Sequence, residues 1–244
     1  MMGIVFALSG TLGTDDGLAP AALRRLIEEL SIEGLLASDG RAADECSSPN
    51  DVLSLLREDA MSVSVLAARY RMTAIELVPR HFRAFDDAAP TLSELRALGI
   101  PQAVLGDGLS GVDHAQAELA GFRDKVLPAE DFAGGDARSV SAFAATASAL
   151  HLPADRIWFV GAEPRADVAP ARAAGFQTVW LNRTGAAYPE GVAPADHIIR
   201  DLRALLELIA EPYMRSAFML RHLMRTALQY RPGHFVPADP LHEE

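Results

Sequence analysis

The sequence holds one cysteine, Cys46, in 244 residues. An internal disulfide framework is therefore excluded, and the scarcity fits a reducing compartment, so a cytoplasmic protein is expected. Cys46 itself reads as a small core or surface residue rather than a reactive thiol. Basic residues are in deficit: 22 Lys and Arg stand against 33 Asp and Glu, for a formal net charge of -11. A chain whose main task is to wrap nucleic acid or lie on anionic lipid needs a basic surface, so neither partner is expected, local basic patches aside. Long apolar runs are missing too. No segment approaches the roughly 18 residues of a membrane span, and the apolar start lacks the basic flank of a secretory signal. Internal repeats and low-complexity tracts are absent, although 133–149 is biased to alanine. What is present is a chain with 50% hydrophobic residues, long enough for one sizeable core or a core with a smaller appendage.

Gly3 to Leu8 is a short apolar run, read as a buried first strand that stops at Ser9-Gly10-Thr11, where a loop runs to Gly17. The block that follows, to about Asp87, is helical and poor in strands. Pro20 to Ser31 places Leu23, Leu26, Ile27 and Leu30 on one helical face. Ser48-Pro49 supplies a cap and a first-turn proline for a helix over Val52 to Arg57. Thr73 and Glu76 form a capping-box pattern expected to open a further helix toward Phe85. From Pro90 onward helices and strands alternate, with strands at Gln102–Leu105, Lys125–Leu127, Ile157–Val160 and Thr178–Leu181. Such alternation predicts right-handed crossovers and a parallel sheet covered on both faces. The fold class is therefore α/β, a Rossmann-like core with an inserted helical cap and a C-terminal helical extension. The expected boundaries are 1–13 and 88–210 for the core, 14–87 for the cap and 211–244 for the extension.

The extension has no acidic residue between Pro212 and Ala238, and helical spacing sets Arg221, His222 and Arg225 opposite an apolar face. It reads as a docked terminal helix, or as the contact with a protein partner or a second copy, through Arg215, Arg221 and Arg225. A homodimer is the base-rate assembly.

Several stretches together resemble the haloacid dehalogenase (HAD) superfamily. "VFALSGTL" is similar to its first signature, hydrophobic-Asp-x-Asp-Gly-Thr-Leu; "PTLSELRALGIPQAVLGDG" resembles its second-signature helix and strand. "PADRIWFVGAEPRADVAPARAAGFQTVWLNRTG" resembles the fourth signature, Val-Gly-Asp-x-x-x-x-Asp, with its sequel, and "VWLNRTG" is closer to the haloalkanoate branch than to the phosphatases. The resemblance runs from Gly3 to about Leu208 and implies a core with a C1-type helical cap. It also implies an Asp nucleophile, a second Asp as acid and base in phosphatases, a Ser or Thr for phosphoryl oxygens, a charge-neutralising Lys, and Mg2+ held by carboxylates.

Carried over residue by residue, those slots are changed. The nucleophile becomes Ala7, the acid-base residue Ser9, the Ser or Thr Gly106, and the first metal carboxylate of the fourth signature Ala162. The Lys slot falls on Ala137 or its neighbour Asp136, and Asp167 alone survives. The framework Gly10, Thr11, Leu12, Gly161, Ala173, Ala174 and Gly175 is kept. This pattern points to a catalytically inactive member acting as a binding, scaffold or regulatory subunit, with no catalytic residue, metal or cofactor expected.

The alternative is a hydrolase, phosphatase or 2-haloacid dehalogenase in type, that works through unconventional residues; only there would Mg2+ enter. Ser9, Gly10, Thr11, Asp107, Asp113 and His114 are the candidates for binding a ligand. The N–H groups around Gly10–Leu12 and Gly106–Gly108 offer an anion nest in either reading. Asp15 and Asp16 read as turn residues, with rescue carboxylates as the competing view. Ser64 to Val78 looks superficially like a helix-turn-helix, yet its second helix has no basic residue before Arg80, which argues against docking on DNA. His81, His151 and His197 lack ligand spacing and read as surface or capping residues.

Overall fold

The computed structural model describes residues 2–37, 46–58, 60–106, 108–132 and 136–210. Met1–Arg203 forms one compact unit and 204–244 a second, whose described residues, 204–210, are helical. The basic segment expected to bind a partner, with Arg215, Arg221 and Arg225, lies outside the described residues. Among the described residues, no helix is long and apolar enough to cross a membrane.

The apolar run at the start forms β1 (Gly3–Ala7), buried at every residue. After it come β2 (Gly13–Asp15), α1 (Leu18–Ile32), α2 (Pro49–Leu53), α3 (Val63–His81) and β3 (Phe82–Ala84). The alternating part supplies α4 (Ala88–Ala97), β4 (Gln102–Leu105), α5 (Ser110–Leu119), β5 (Lys125–Leu127), α6 (Val140–Leu150) and β6 (Ile157–Gly161). It closes with α7 (Ala169–Ala173), β7 (Gln177–Leu181) and β8 (His197–Ile199). Six strands make one sheet in the order β5-β4-β1-β6-β7-β8, parallel at every pairing. The expected α/β fold is thus present, and its central strands are apolar throughout because helices cover both faces. The chain moves to one side of β1 through β4 and β5 and to the other through β6, β7 and β8. Beside β1 the connections diverge, leaving a crevice at the carboxyl ends of the strands.

One face of the sheet packs Val5, Ala7, Leu105 and Phe159 against Phe143 of α6 and Phe176. Phe143 meets Phe159 edge-on at 5.4 Å and Phe176 at 5.2 Å, a geometry that adds to simple burial. The helical insertion has its own cluster, with Leu23, Leu26 and Leu30 of α1 against Val52 and Leu66. The expected apolar stripe of α1 is the buried one.

Three details differ from expectation. Thr73 opens no helix, because α3 runs unbroken from Val63 and is capped by Ser62, whose hydroxyl accepts from Val65 N. The Thr73 hydroxyl instead donates to the Arg69 carbonyl one turn back, at 3.0 Å. The helix after Ser48 is short, ending at Leu53, although its capping box is formed with Asp51. Finally, β2 and β3 pair antiparallel where the insertion leaves and rejoins the core, and β8 extends the sheet beyond β7.

Candidate functional site

The loop after β1 stands at the crevice. Ala7 is wholly buried, and its methyl belongs to the same apolar cluster as Leu105, Ala137, Phe143 and Phe159. Two slots that the family resemblance assigns to charged groups, 7 and 137, therefore lie in hydrocarbon. Gly10 adopts a positive φ of 73°, and a β-carbon there would come within 2.9 Å of Ala162 Cβ. The loops after β1 and β6 are pressed together at the fourth-signature position. The N–H groups expected to form an anion nest are engaged internally: Gly10 N donates to Gly13 O at 2.8 Å and Leu12 N to Leu8 O at 3.0 Å. Gly106 N likewise donates to Leu127 O at 2.9 Å.

After β6, the surviving Asp167 folds back over Gly161. Its Oδ2 accepts from Ala162 N at 3.1 Å and Glu163 N at 3.0 Å, and its Oδ1 accepts from Arg138 Nε at 2.9 Å. The two side chains of this pair are only 14% and 6% exposed, and the Arg138 guanidinium also lies 5.6 Å from the Phe159 ring centroid. Counting positions placed the cation slot on Ala137 or Asp136. In the structure Ala137 packs into the core, exposed Asp136 accepts from Arg138 N at 2.8 Å, and Arg138 carries the cation. The signal that would have found it is an arginine one residue beyond the counted slot, long enough to reach the fourth-signature carboxylate.

After β4, Asp113 from the first turn of α5 folds back over Gly106 in the same way. It is 2% exposed, and its oxygens accept from Gly108 N at 3.2 and 3.3 Å. A β-carbon on Gly106 would collide with this carboxylate. Glycine at the slot expected to hold Ser or Thr is therefore what admits the Asp113 side chain.

Between these loops and the insertion lies a cavity of about 220 Å³ with Ser9, Asp15, Leu18, Tyr70, Asp113 and Gln116 in its wall. Asp15 sits in β2, where Oδ1 accepts from Leu18 N at 2.8 Å at the start of α1 and Oδ2 accepts from Gln116 Nε2 at 3.1 Å. Burial, and behind it the negative charge of Asp15, push the Tyr70 hydroxyl above its ordinary pKa. Among the described residues, none that lines this cavity is basic. Asp15 is thus both the turn residue foreseen and part of the wall.

Of the residues expected to bind a ligand, the structure brings Ser9 and Asp113 to the cavity. Gly10 and Thr11 are not in its lining, and Asp107 lies outside the described residues. His114 is exposed, with Nδ1 2.6 Å from Ser110 O. His151 is the left-handed cap of α6, and His197 stacks on Trp158 at 5.0 Å. Among the described residues no group of three or more His, Cys, Asp or Glu is arranged to hold a metal.

A further ion pair ties the site to the fold. Arg183, after β7, donates to both oxygens of Asp87 at 2.8 and 2.9 Å and to the Thr11 carbonyl at 3.0 Å. Its guanidinium lies 3.9 Å from the Phe85 ring centroid. Burial works to raise the Asp87 carboxyl pKa, but hydrogen bonds from Arg183 and Leu202 N prevail and hold it below the usual range.

Comparison with known proteins agrees with this architecture. Residues 139–205 match the HAD-hydrolase-like family model. An (S)-2-haloacid dehalogenase of Pseudomonas sp. (strain YL) is 30% identical over 149 residues, which are 59% of this chain and 62% of that protein. The alignment thus spans less than two thirds of the curated relative's length. The solved 2-haloacid dehalogenase from Pseudomonas syringae pv. Tomato DC3000 gives a TM-score of 0.64 at 24% identity, over 86% of this chain and 99% of that one. A HAD phosphatase from Thermococcus onnurineus gives 0.55 at 21% identity, over 86% and 98%. The resemblance to the HAD superfamily holds, and the chain has that superfamily's fold.

Proposed function

We propose that this chain uses the HAD-like fold to bind rather than to hydrolyse, as a catalytically inactive binding or regulatory protein. The observation behind this reading is the hydrocarbon at the reactive centre, where Ala7 and Ala137 share one apolar cluster. Hydrolysis of the family's kind needs a carboxylate to attack carbon or phosphorus and form an ester that water then opens. A methyl group can neither attack nor ligate Mg2+. The partner in this reading is a protein or a second copy, met through Pro212 to Tyr230. The test is halide release from 2-chloropropionate and hydrolysis of p-nitrophenyl phosphate, each with and without Mg2+. The expected result is no rate above buffer, for the natural chain and for Ala7→Asp, which also loses several kcal/mol of stability from a carboxylate placed in the core. Turnover by the natural chain, abolished by Ser9→Ala or Asp167→Asn, overturns the reading.

A second reading is supported by the names of the relatives and by the meeting of Ser9 and Asp113 at one cavity. In it the chain is a hydrolase using those groups in unconventional roles. Its mark is a measured rate that falls in both Ser9→Ala and Asp113→Asn.

A further inference from the structure

We propose that the helical insertion is held shut on the core by a latch built into α5, and that parting of this latch opens the cavity. In the latch, Gly111 receives Ile75 of α3 and the Gln116 amide holds Asp15 of β2. The device belongs to the fold and stands whether the chain binds or hydrolyses.

The insertion meets the core at the β2–β3 ribbon, through which it leaves and rejoins, and again at a seam where α3 packs on α5. The cavity lies in this seam. Tyr70 and Ala74 of α3 stand in one wall, and Val112 and Gln116 of α5 in the other, so parting the two helices widens the space between them.

The apolar half of the latch is a notch. A β-carbon on Gly111 would lie 2.4 Å from Ile75 Cδ1 and 3.2 Å from its Cγ1. Gly111 is not among the residues with positive φ, and glycine weakens a helix relative to alanine. What glycine provides at this place in α5 is room for the Ile75 side chain.

The polar half reaches 101 residues along the chain. Gln116, 4% exposed, donates from Nε2 to Asp15 Oδ2 at 3.1 Å. The other oxygen of Asp15 accepts from Leu18 N, so the amide on α5 holds β2 and, through it, the first turn of α1. Asp15 is exposed, and water can replace the amide at its oxygen. The bond is therefore releasable without leaving a buried charge unpaired.

The insertion keeps its own packing when the seam is lost. Leu26, Leu30, Val52 and Leu66 form a cluster within it, and Arg69 of α3 pairs with Glu33 beyond α1 at 2.6 Å. At the seam itself Tyr70, Ile75 and Gly111 are only partly buried. A shallow contact between separately packed parts opens well before the whole chain unfolds.

The test is the rate at which a buried thiol reacts with dithionitrobenzoate in the full chain, its native thiol removed by Cys46→Ala. Ala74→Cys reports on the seam, where Ala74 is 3% exposed, and Ala142→Cys on the α6 layer, where Ala142 is 0% exposed. Gly111→Leu fills the notch while favouring the helix, and should speed labelling of Ala74→Cys about tenfold or more. Gln116→Glu keeps the side-chain shape but sets a second carboxylate against Asp15, and should speed it about fivefold. Neither should alter the rate at Ala142→Cys. Adding Ile75→Ala to Gly111→Leu makes space for the leucine and should return the seam rate to within about twofold of its starting value. Circular dichroism establishes the fold of each variant, and if Gly111→Leu does not fold, Gln116→Glu decides by the same two rates. The latch is overturned if labelling of Ala74→Cys is unchanged, if both reporter thiols accelerate together in a folded variant, or if Ile75→Ala fails to reverse a faster rate in Gly111→Leu.

Discussion

Two turns at the carboxyl ends of β4 and β6 solve one problem in the same way and then part. Gly106 follows β4 and Gly161 ends β6, and in each turn a later aspartate folds back over the glycine, in space that a β-carbon would contest, to accept backbone N–H groups. At the β6 turn the carboxylate meets the Arg138 guanidinium, and the pair is closed over by Phe159 and the core. At the β4 turn the carboxylate forms part of a cavity wall. One turn is therefore a structural joint, while the other, built on the same plan, presents negative charge to a space. The comparison teaches that survival of an acidic residue in a signature says little until its neighbours are known. Asp167, which matches the signature, is engaged by three N–H groups, whereas Asp113, which matches nothing in it, lines the pocket.

The contrast can be broken by substitution. The largest effect is expected from Arg138→Leu, which removes one partner of a buried pair and leaves Asp167 without its cation. Stability should fall by about 3 kcal/mol, read from the urea midpoint, while Asp113→Asn should cost about half as much because Gly108 N keeps an acceptor.

A sharper comparison comes from the glycines. In Gly161→Ala the new methyl would lie 2.5 Å from Asp167 Cβ, which is tied to backbone, and about 2–3 kcal/mol should be lost. In Gly106→Ala the deepest overlap is with the carboxylate end of Asp113, which can swing away at a cost of about 1–2 kcal/mol. Chemical denaturation of the two variants side by side gives the ranking, and equal losses would remove the distinction between the turns.

The smallest effect is expected from Ser139→Ala. Its hydroxyl accepts from Ala142 N at 3.2 Å and caps α6 beside Arg138, so about 1 kcal/mol should be lost by thermal unfolding.

Much of this molecule was legible in the residues. The buried run at Ile4–Leu8 and the later strands alternate with helical stretches, and that pattern admits few arrangements other than a parallel sheet. The strands that were not foreseen, β2, β3 and β8, have three residues each; β5 is as short but falls within the alternation of helices and strands, whereas the pairing of β2 with β3 and the placing of β8 depend on partners distant in the chain. Thr73 with Glu76 carries a capping pattern, yet the helix already running from Val63 overrides it. The family resemblance located the emptied slots at positions 7, 106 and 162. It could not supply Arg138 or the cavity wall at Tyr70 and Gln116, because those depend on side-chain reach and on how the insertion lies over α5, and one-dimensional spacing records neither. Asp15 shows a further limit: a residue that reads as turn chemistry also faces a cavity, because its two oxygens point to different elements.

The Arg183 clasp has a mechanical meaning. Its guanidinium holds Thr11, just before the chain leaves for the insertion, and Asp87, just after it returns, and stacks on Phe85 between them. Both crossings are thereby anchored to the loop after β7, below the β2–β3 ribbon. Any opening of the helical insertion is left to bending and twisting of two short antiparallel strands above a fixed base. It becomes a rotation about a pinned axle rather than a sliding of one part over the other. The width of the cavity mouth would then be set by an angle, with Ser9 and Asp113 stationary on one side and Tyr70 travelling on the other.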